Sequence, residues 1–183
     1  NNLQPLFFFL LGNESRFDKN ISHTNTEFRK LIKAIDERCE TGIHLSYKSH
    51  VSSHLAKREI ARLKDITGHD TEKNRFHYLR FQLPDTYSRL SKTNITQDYS
   101  MGYAPHVGFR AGICTPFHFF NVRQNLVSQL LVHPVTFMDT TFTHYYHADN
   151  EFALSKIQQL MKTVYECGGD FTGLWHNASF TER

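Results

Sequence analysis

Glu40-Thr41-Gly42-Ile43-His44-Leu45-Ser46-Tyr47 is the stretch that decides the fold of this chain. It predicts a short apolar strand over residues 42–45, with His44 on its last residues. An apolar strand over residues 6–12 and a helix over residues 26–38 precede it, so the three elements predict a βαβ unit. Ligands and metals collect at the carboxyl ends of parallel strands. His44 is therefore a candidate for chemistry, although a hydrogen-bonded core histidine explains its position about equally well.

The composition is that of an ordinary globular domain. The chain has 183 residues, of which 39% are hydrophobic and 21% charged, which predicts one domain spanning residues 1–183. A net charge of +3 with scattered Lys and Arg predicts no nucleic-acid partner. No apolar run reaches the roughly 18–20 residues of a membrane span. No glycine-rich phosphate loop follows a predicted strand, which disfavours nucleotide binding. The sequence leaves the oligomeric state open.

The cysteines and the start of the chain bear on its cellular compartment. Cys39, Cys114 and Cys167 are odd in number and widely spaced, so we expect reduced thiols, which favours the cytoplasm over secretion. Because the chain begins inside a predicted core strand, we expect upstream sequence to be missing, and the C-terminus to be open to the same truncation. A signal peptide in the upstream part would change the predicted compartment.

Strands and helices alternate along the rest of the chain. Helices are predicted over residues 52–66, 84–90, 122–131 and 150–167. Strands are predicted over residues 76–81, 98–103, 107–111, 135–138 and 171–175. This alternation, without a recognised hairpin, predicts an α/β fold with a parallel sheet and helices outside, closed or nearly closed into a barrel. The side of the last helix that is predicted to face the core consists of Phe152, Leu154, Ile157, Leu160, Met161 and Val164.

Several polar residues fall at the predicted strand ends. They are His44, Arg75, His77, Arg80, Asp98, Arg110, Asp139 and His176. Histidine, aspartate and arginine at one edge of a sheet are the groups that a metal-assisted hydrolase uses. Neutral imidazoles hold the ion, a carboxylate takes a proton from water, and an arginine positions a carboxylate or an oxyanion.

Each of these residues also has a structural interpretation. His77 fits a solvent-facing polar position about as well as a functional one. Arg110 fits an ion pair with Asp98 or Asp139 nearly as well as a catalytic role. Asp139 fits a residue that caps the turn after its strand.

Two pairs of histidines have the spacing of metal ligands, His50 with His54 and His144 with His147. Neither pair has the glutamate of the zinc-protease helix motif. In a chain with twelve histidines such pairs are expected by chance, and neither carries the prediction of a site.

The order of these motifs resembles the polysaccharide deacetylases of carbohydrate esterase family 4. The resemblance begins with Phe7-Phe8-Phe9-Leu10-Leu11-Gly12, a helix and Thr41-Gly42-Ile43-His44, and it covers nearly the whole chain. It continues through residues 75–81, 98–103, 108–112, 138–141 and 174–177. The sequence is similar to a divergent bacterial branch that has His-X-Ser-Tyr-Lys-Ser, Phe-Arg-Ala-Gly and Leu-Trp-His-Asn motifs.

The resemblance implies a distorted (β/α) barrel of about seven parallel strands, with helices outside and the first strand missing from this chain. It implies an Asp-His-His site for a divalent metal, zinc above all, and hydrolysis of an N- or O-acetyl group on an oligo- or polysaccharide. His44 matches the first metal histidine of the family. Lys48 stands where the family has the second, so we interpret His77 as the replacement ligand, with His50 as the runner-up.

The resemblance also implies catalytic roles. The family's aspartate pair lies on the strand before residues 6–11 and is outside this chain. The catalytic candidates are Arg110, Asp139 and His176, of which His176 is the candidate acid for the leaving amine. Two alternatives stay open: a non-catalytic glycan-binding or scaffold member of the same fold that has lost its metal site, and a hydrolase of a small cyclic amide or ureide.

Overall fold

A computed structural model describes residues 5–180 of the chain. The helices are α1 (Thr26–Asp36), α2 (Ser53–Thr67), α3 (Asp85–Leu90) and α4 (Asn150–Cys167). The strands are β1 (Leu6–Leu10), β2 (Glu40–Leu45), β3 (Lys73–Phe76), β4 (Gln97–Met101), β5 (Phe117–Asn121), β6 (Leu126–Pro134), β7 (Phe137–Met138) and β8 (Gly173–Leu174). None of the helices in this part of the chain is long and apolar enough to cross a membrane.

The strands form a central six-stranded sheet and a separate pair. The six-stranded sheet has the order β1-β2-β3-β4-β6-β5, and β1 to β4 pair in parallel. Leu10 lies opposite His44, and His44 lies opposite Arg75, so the exits of the first three strands are neighbours. β7 and β8 form a two-stranded parallel sheet. The predicted α/β class with a mostly parallel sheet and surrounding helices is confirmed.

Contacts divide the chain into two compact units. Of the described residues, the first unit contains 5–98 and 118–131, and the second contains 99–117 and 132–180. The first unit has an aliphatic core between the sheet and helices α1 to α3, with Leu11, Ile32, Ile43, Leu45, Leu63 and Ile66 almost fully buried. The second unit has its own core of Val132, Phe137, Phe142, Val164 and Leu174. The prediction of one barrel domain over residues 1–183 stays a prediction.

Local sequence signals set the ends of the helices. Asn25 accepts a hydrogen bond from the Phe28 N–H at 2.9 Å and so caps the start of α1. Asp149 caps α4 in the same way, through the Phe152 N–H at 2.7 Å. Gly68 follows α2 with φ +88°, a left-handed conformation that glycine adopts without steric cost. These boundaries lie within two residues of the predicted ones.

The predicted helix over residues 122–131 is wrong. This segment is a four-residue connection followed by β6, and β6 is the sheet neighbour of β5. A connection this short cannot make a crossover, so the two strands form a hairpin that the sequence pattern did not reveal. Asn125, at φ +52°, supplies the left-handed turn residue just before β6. Valine and leucine at mixed spacing fit both periodicities, and the turn decides between them.

Two predicted strands and one helix face also differ from the structure. Residues 107–111 form turns, because Gly108 and Gly112 have φ of +117° and +74°. The predicted strand over residues 76–81 ends at Phe76 and continues as a 3-10 turn. On α4 only Val164 is buried, whereas Leu154 and Met161 are 57% and 50% exposed, so its predicted inner side is largely solvent-facing.

Candidate functional site

His44 and His77 lie side by side at the carboxyl end of the parallel strands. His44 is the second-to-last residue of β2, and His77 is the first residue after β3. Their ring centroids are 5.0 Å apart in an edge-to-face arrangement. The structure therefore brings together, within the first unit, the two residues that the sequence analysis assigned to metal binding.

Hydrogen bonds at Nδ1 set the tautomer of both rings. His44 Nδ1 lies 2.6 Å from the carbonyl oxygen of Arg75, which can only accept, so Nδ1 carries the proton. His77 Nδ1 lies 2.8 Å from Oδ1 of Asp18. In the neutral form of each ring the lone pair is then on Nε2. An imidazole whose Nδ1–H is held by a carboxylate or a carbonyl is the arrangement found at metal-binding histidines.

Asp18 is the residue of this site that the sequence analysis missed. Its carboxylate is 3% exposed and accepts hydrogen bonds from the Tyr47 N–H at 2.9 Å and the Ser15 hydroxyl at 2.7 Å, besides its contact with His77. Ser15-Arg16-Phe17-Asp18 has the Ser-x-x-Asp spacing of a local capping turn, which is the only sequence signal for it. Asp18 ties the loop after β1 to the exits of β2 and β3.

A buried glutamate holds the segment that follows His44. Glu59 of α2 is 1% exposed and accepts the Ser46 N–H at 2.8 Å, the Ser46 hydroxyl at 2.6 Å and the Ser49 hydroxyl at 3.0 Å. Gly12 packs against this group so closely that a Cβ there would lie 2.6 Å from Ser46 Cβ. The segment that follows His44 is thus anchored to α2 through its serines.

Glu59 makes a testable contribution to the pH dependence of stability. Burial raises its pKa above 4.5, against the lowering effect of the serine hydrogen bonds. A raised pKa stabilises the fold below the unfolded-state pKa, and this contribution is lost as the pH rises through the folded-state pKa. We expect the unfolding free energy of the wild type, relative to Glu59→Gln, to fall as the pH rises above about 4.5.

Urea unfolding of both proteins between pH 4 and pH 8 measures this difference. The Glu37→Gln variant is the matched control, because Glu37 is exposed at the end of α1. A difference between wild type and Glu59→Gln that does not change with pH would contradict the assignment.

The backbone at His77 is held in an uncommon conformation. Tyr78 and Leu79 have φ of +61° and +49°, and two consecutive non-glycine residues in the left-handed region are costly. Tyr78 lies against the His77 ring, with centroids 4.6 Å apart, and edge-on to Tyr47 at 5.5 Å. Phe17 stacks on Tyr47 at 4.0 Å. These aromatic contacts compensate for the strained turn and fix the position of His77.

The alternative ligands of the first unit are placed differently. His50 is buried, its Nδ1 lies 2.8 Å from the Tyr47 carbonyl oxygen, and burial followed by the charge of Arg89 lowers its pKa. Lys48 and His54 are exposed. Asp98 is buried and accepts hydrogen bonds from Asn74 at 2.7 Å and Tyr87 at 2.8 Å, which gives it a structural role.

A second cluster lies in the second unit and joins two of the predicted catalytic residues. Asp139 follows β7, and His176 follows β8. His176 Nδ1 lies 2.6 Å from Asp139 Oδ1, and the His176 backbone N–H donates to Asp139 Oδ2 at 2.8 Å. The Ser179 hydroxyl also donates to Oδ2. The pairing of β7 with β8 brings these residues together across a long stretch of sequence.

The electrostatics of this cluster favour an ionised carboxylate. Burial raises the pKa of Asp139, but hydrogen bonds from His176 and Ser179 outweigh burial and lower the pKa to about 2. The carboxylate fixes the His176 tautomer with its lone pair on Nε2, and the His176 side chain is 39% exposed. An aspartate-oriented, accessible imidazole can transfer a proton. Asp139 also accepts the Thr140 N–H at 2.8 Å, the turn-capping role that the sequence analysis left open.

Arg110 belongs to the turn of the second unit between Gly108 and Gly112. Its Nη1 donates to the Gly102 carbonyl oxygen at 3.0 Å. The predicted role of Arg110 in positioning a carboxylate or an oxyanion stays a prediction. His144 and His147, the other pair with metal-like spacing, are both exposed.

His44 and His77 are the two neighbouring imidazoles that could supply nitrogen donors to a metal ion. Among residues 5–180, no group of three or more histidine, cysteine and acidic side chains is arranged to hold a metal. Oδ1 of Asp18 lies 2.8 Å from His77 Nδ1 and accepts the Tyr47 N–H at 2.9 Å, so Asp18 can orient the His77 ring. No protein-family model matches the sequence, and a comparison with curated proteins finds no match either.

Proposed function

We propose that the protein is a metal-dependent hydrolase that removes an acetyl group from a carbohydrate, built on a distorted (β/α) barrel. The observation that carries the proposal is the pair of His44 and His77, with ring centroids 5.0 Å apart and both Nδ1 atoms engaged by acceptor oxygens. Two such rings at the carboxyl ends of neighbouring parallel strands support a metal site, because they offer two oriented nitrogen donors. The carbohydrate substrate rests on the resemblance to polysaccharide deacetylases.

In this proposal Nε2 of His44 and Nε2 of His77 hold the metal, and Asp18 keeps His77 in the ligand tautomer. When bound, zinc or a similar ion supplies Lewis acidity towards an acyl oxygen and lowers the pKa of water. The two imidazoles leave coordination positions for a further ligand and for solvent.

The proposal assigns proton transfer to His176. Asp139 holds the Nδ1–H, so Nε2 accepts a proton and returns it to a leaving amine or alcohol. Arg110 is assigned to positioning a charged or developing oxyanion group of the substrate. These roles belong to the second unit and are tested separately from the metal site.

A second candidate function is favoured by one observation. Among the described residues no group of three or more candidate ligands is arranged to hold a metal, and Lys48 stands where the resemblance expects a histidine. A non-catalytic member of the same fold, which binds a glycan or serves as a scaffold, is consistent with a weakened metal site. This alternative predicts carbohydrate binding without release of acetate.

Metal analysis and acetate release test the proposal on the complete protein. The wild type is expected to bind one zinc ion per chain and to release acetate from N-acetylglucosamine oligomers. The His44→Ala and His77→Ala variants are expected to lose both properties, because each removes a ligand nitrogen. His118→Ala is the matched control, since His118 is exposed on β5.

Zinc binding that is unchanged in both His44→Ala and His77→Ala would overturn the metal site. Zinc binding by the wild type without acetate release, together with binding of the oligomers, would support the non-catalytic alternative instead.

A further inference from the structure

Two of the three cysteines meet in the second unit, which their sequence spacing did not predict. Cys114 is buried in the segment before β5, and Cys167 is the exposed last residue of α4. Both belong to the second unit. Cys114 lies against the two residues, Gly169 and Asp170, that follow the end of α4 shortly after Cys167. Cys39 is half-buried and lies in the first unit.

Backbone contacts hold the two cysteine segments together. The Asp170 N–H donates to the Cys114 carbonyl oxygen at 3.0 Å, and the Gly169 N–H donates to Val164 at 3.0 Å as α4 ends. Gly168 takes the left-handed conformation, with φ +64°, that turns the chain towards Cys114. Cys114 Sγ fills the place that a Cβ on Gly169 would take, so only glycine fits there. The backbone therefore holds Cys114 against the turn that directly follows Cys167.

We propose that Cys114 and Cys167 form a reversible disulfide by exchange with a small-molecule disulfide of the glutathione type. The exposed Cys167 thiolate attacks one sulfur of the external disulfide, whose S–S bond breaks and releases one thiolate. Cys114 then loses its proton to solvent and attacks Cys167 Sγ, which releases the second thiolate. The two protein thiols lose two electrons and two protons in total, and the external disulfide becomes two thiols.

The order of the two steps follows from the environments of the cysteines. Burial, and then the neighbouring Cys167, raise the pKa of the Cys114 thiol, so Cys114 is a poor first nucleophile. Cys167 is open to solvent and to an external disulfide. Cys114 is buried and thus shielded from external disulfides, but it lies beside the turn that follows Cys167, which is the position of a resolving cysteine.

The disulfide would restrain the chain that leads to His176. It joins the end of α4 to the segment before β5, and residues 168–172 continue directly into β8 and His176. The pairing of β8 with β7 holds His176 on Asp139. Oxidation is thus expected to stabilise the second unit. The disulfide itself does not depend on the proposed hydrolysis.

The test treats the full-length chain with oxidised glutathione and follows intact mass, peptide maps and thermal unfolding. The wild type is expected to lose the mass of two hydrogen atoms, to give a cross-linked peptide of Cys114 and Cys167, and to unfold roughly 5–10 °C higher. Cys39→Ser is the control and is expected to behave like the wild type. Cys114→Ser is expected to stop at a glutathione adduct on Cys167, and Cys167→Ser to leave Cys114 unmodified.

A wild-type protein that keeps a stable glutathione adduct on Cys167 would overturn the proposal, as would a cross-link that involves Cys39. The exposed Cys167→Ser change keeps the test decisive if the buried Cys114→Ser change prevents folding. The order of attack is supported if Cys114 of the Cys167→Ser variant is modified only to the background level. It is contradicted if Cys114 is modified to the same extent in this variant as in the wild type.

Discussion

An Asp139→Asn variant is expected to lose about 2 kcal/mol of unfolding free energy at pH 7, because the pKa of Asp139 is lowered from 3.8 to about 2 in the folded state. Asp139 is 4% exposed, and its carboxylate accepts two hydrogen bonds from His176, one from the Ser179 hydroxyl and one from the Thr140 N–H. An asparagine presents one acceptor oxygen and one donor group in their place. At least one of these hydrogen bonds is then lost inside the second unit.

The expected loss depends on pH in a direction that follows from the lowered pKa. A group whose pKa is lowered on folding stabilises the fold above its unfolded-state pKa, and the contribution disappears as the pH falls through the folded-state pKa. The difference between wild type and Asp139→Asn should therefore be largest above about pH 5 and fall to about half by pH 3. Urea unfolding at several pH values measures it. A difference that grows as the pH falls would show that Asp139 is not the titrating group.

The same variant should reduce acetate release roughly 10³–10⁴-fold if His176 transfers the proton, because an asparagine amide favours the other imidazole tautomer. Ser179→Ala is the matched control. It removes a hydrogen bond from Asp139 Oδ2 but leaves the Oδ1 contact that sets the tautomer. Stability should fall in both variants, whereas catalysis should fall steeply only in Asp139→Asn. Equal rates in the two variants would leave Asp139 with a structural role alone.

Local chemistry explains why much of the fold is predictable from the sequence. Asn25 and Gly68 act on residues within one helical turn, so their effect is visible in the sequence around them. The alternation of the first strands and helices is equally local in its periodicity. The bounds predicted for α4, residues 150–167, agree with the structure for the same reason.

Other parts of the fold depend on contacts that a local pattern does not contain. The hairpin of β5 and β6 requires Asn125 in a left-handed conformation and a sheet neighbour, while its apolar residues also fit a helix. The apolar residues of α4 have helical spacing, but which of them are buried depends on what packs against the helix. The burial of Val164 alone could not be read from that spacing.

The residues of the candidate site also differ in whether a local sequence pattern could predict them. His44 and His77 follow apolar strand residues, and the rule that functional groups gather at strand exits brings them together. Asp139 and His176 became candidates by the same rule. Asp18 could not be found in this way, because its position depends on a loop that reaches the Tyr47 N–H and the His77 ring from far along the sequence.

Asp18→Ala is expected to weaken zinc binding about 10–100-fold, because it removes the group that orients His77. The change also leaves the Tyr47 N–H and the Ser15 hydroxyl without their acceptor in a partly buried place, which should cost about 2 kcal/mol of unfolding free energy. Zinc titration by calorimetry and urea unfolding of the metal-free protein measure the two effects. The metal-free measurement matters, because zinc binding itself stabilises the folded state.

Two further variants separate orientation of the ligand from general destabilisation. Ser15→Ala removes the hydrogen bonds of the Ser15 hydroxyl with the Asp18 carboxylate and with the N–H groups of Phe17 and Asp18, but it keeps the carboxylate on His77. It should therefore lower stability and leave zinc affinity near that of the wild type. Asp36→Asn changes the other aspartate–histidine pair of the first unit, in which His69 Nε2 lies 2.7 Å from Asp36. His69 is exposed and does not belong to the His44–His77 pair, so a change of its partner should not affect zinc affinity. If Ser15→Ala weakens zinc binding as much as Asp18→Ala does, the loss follows from the loop and not from the orientation of His77.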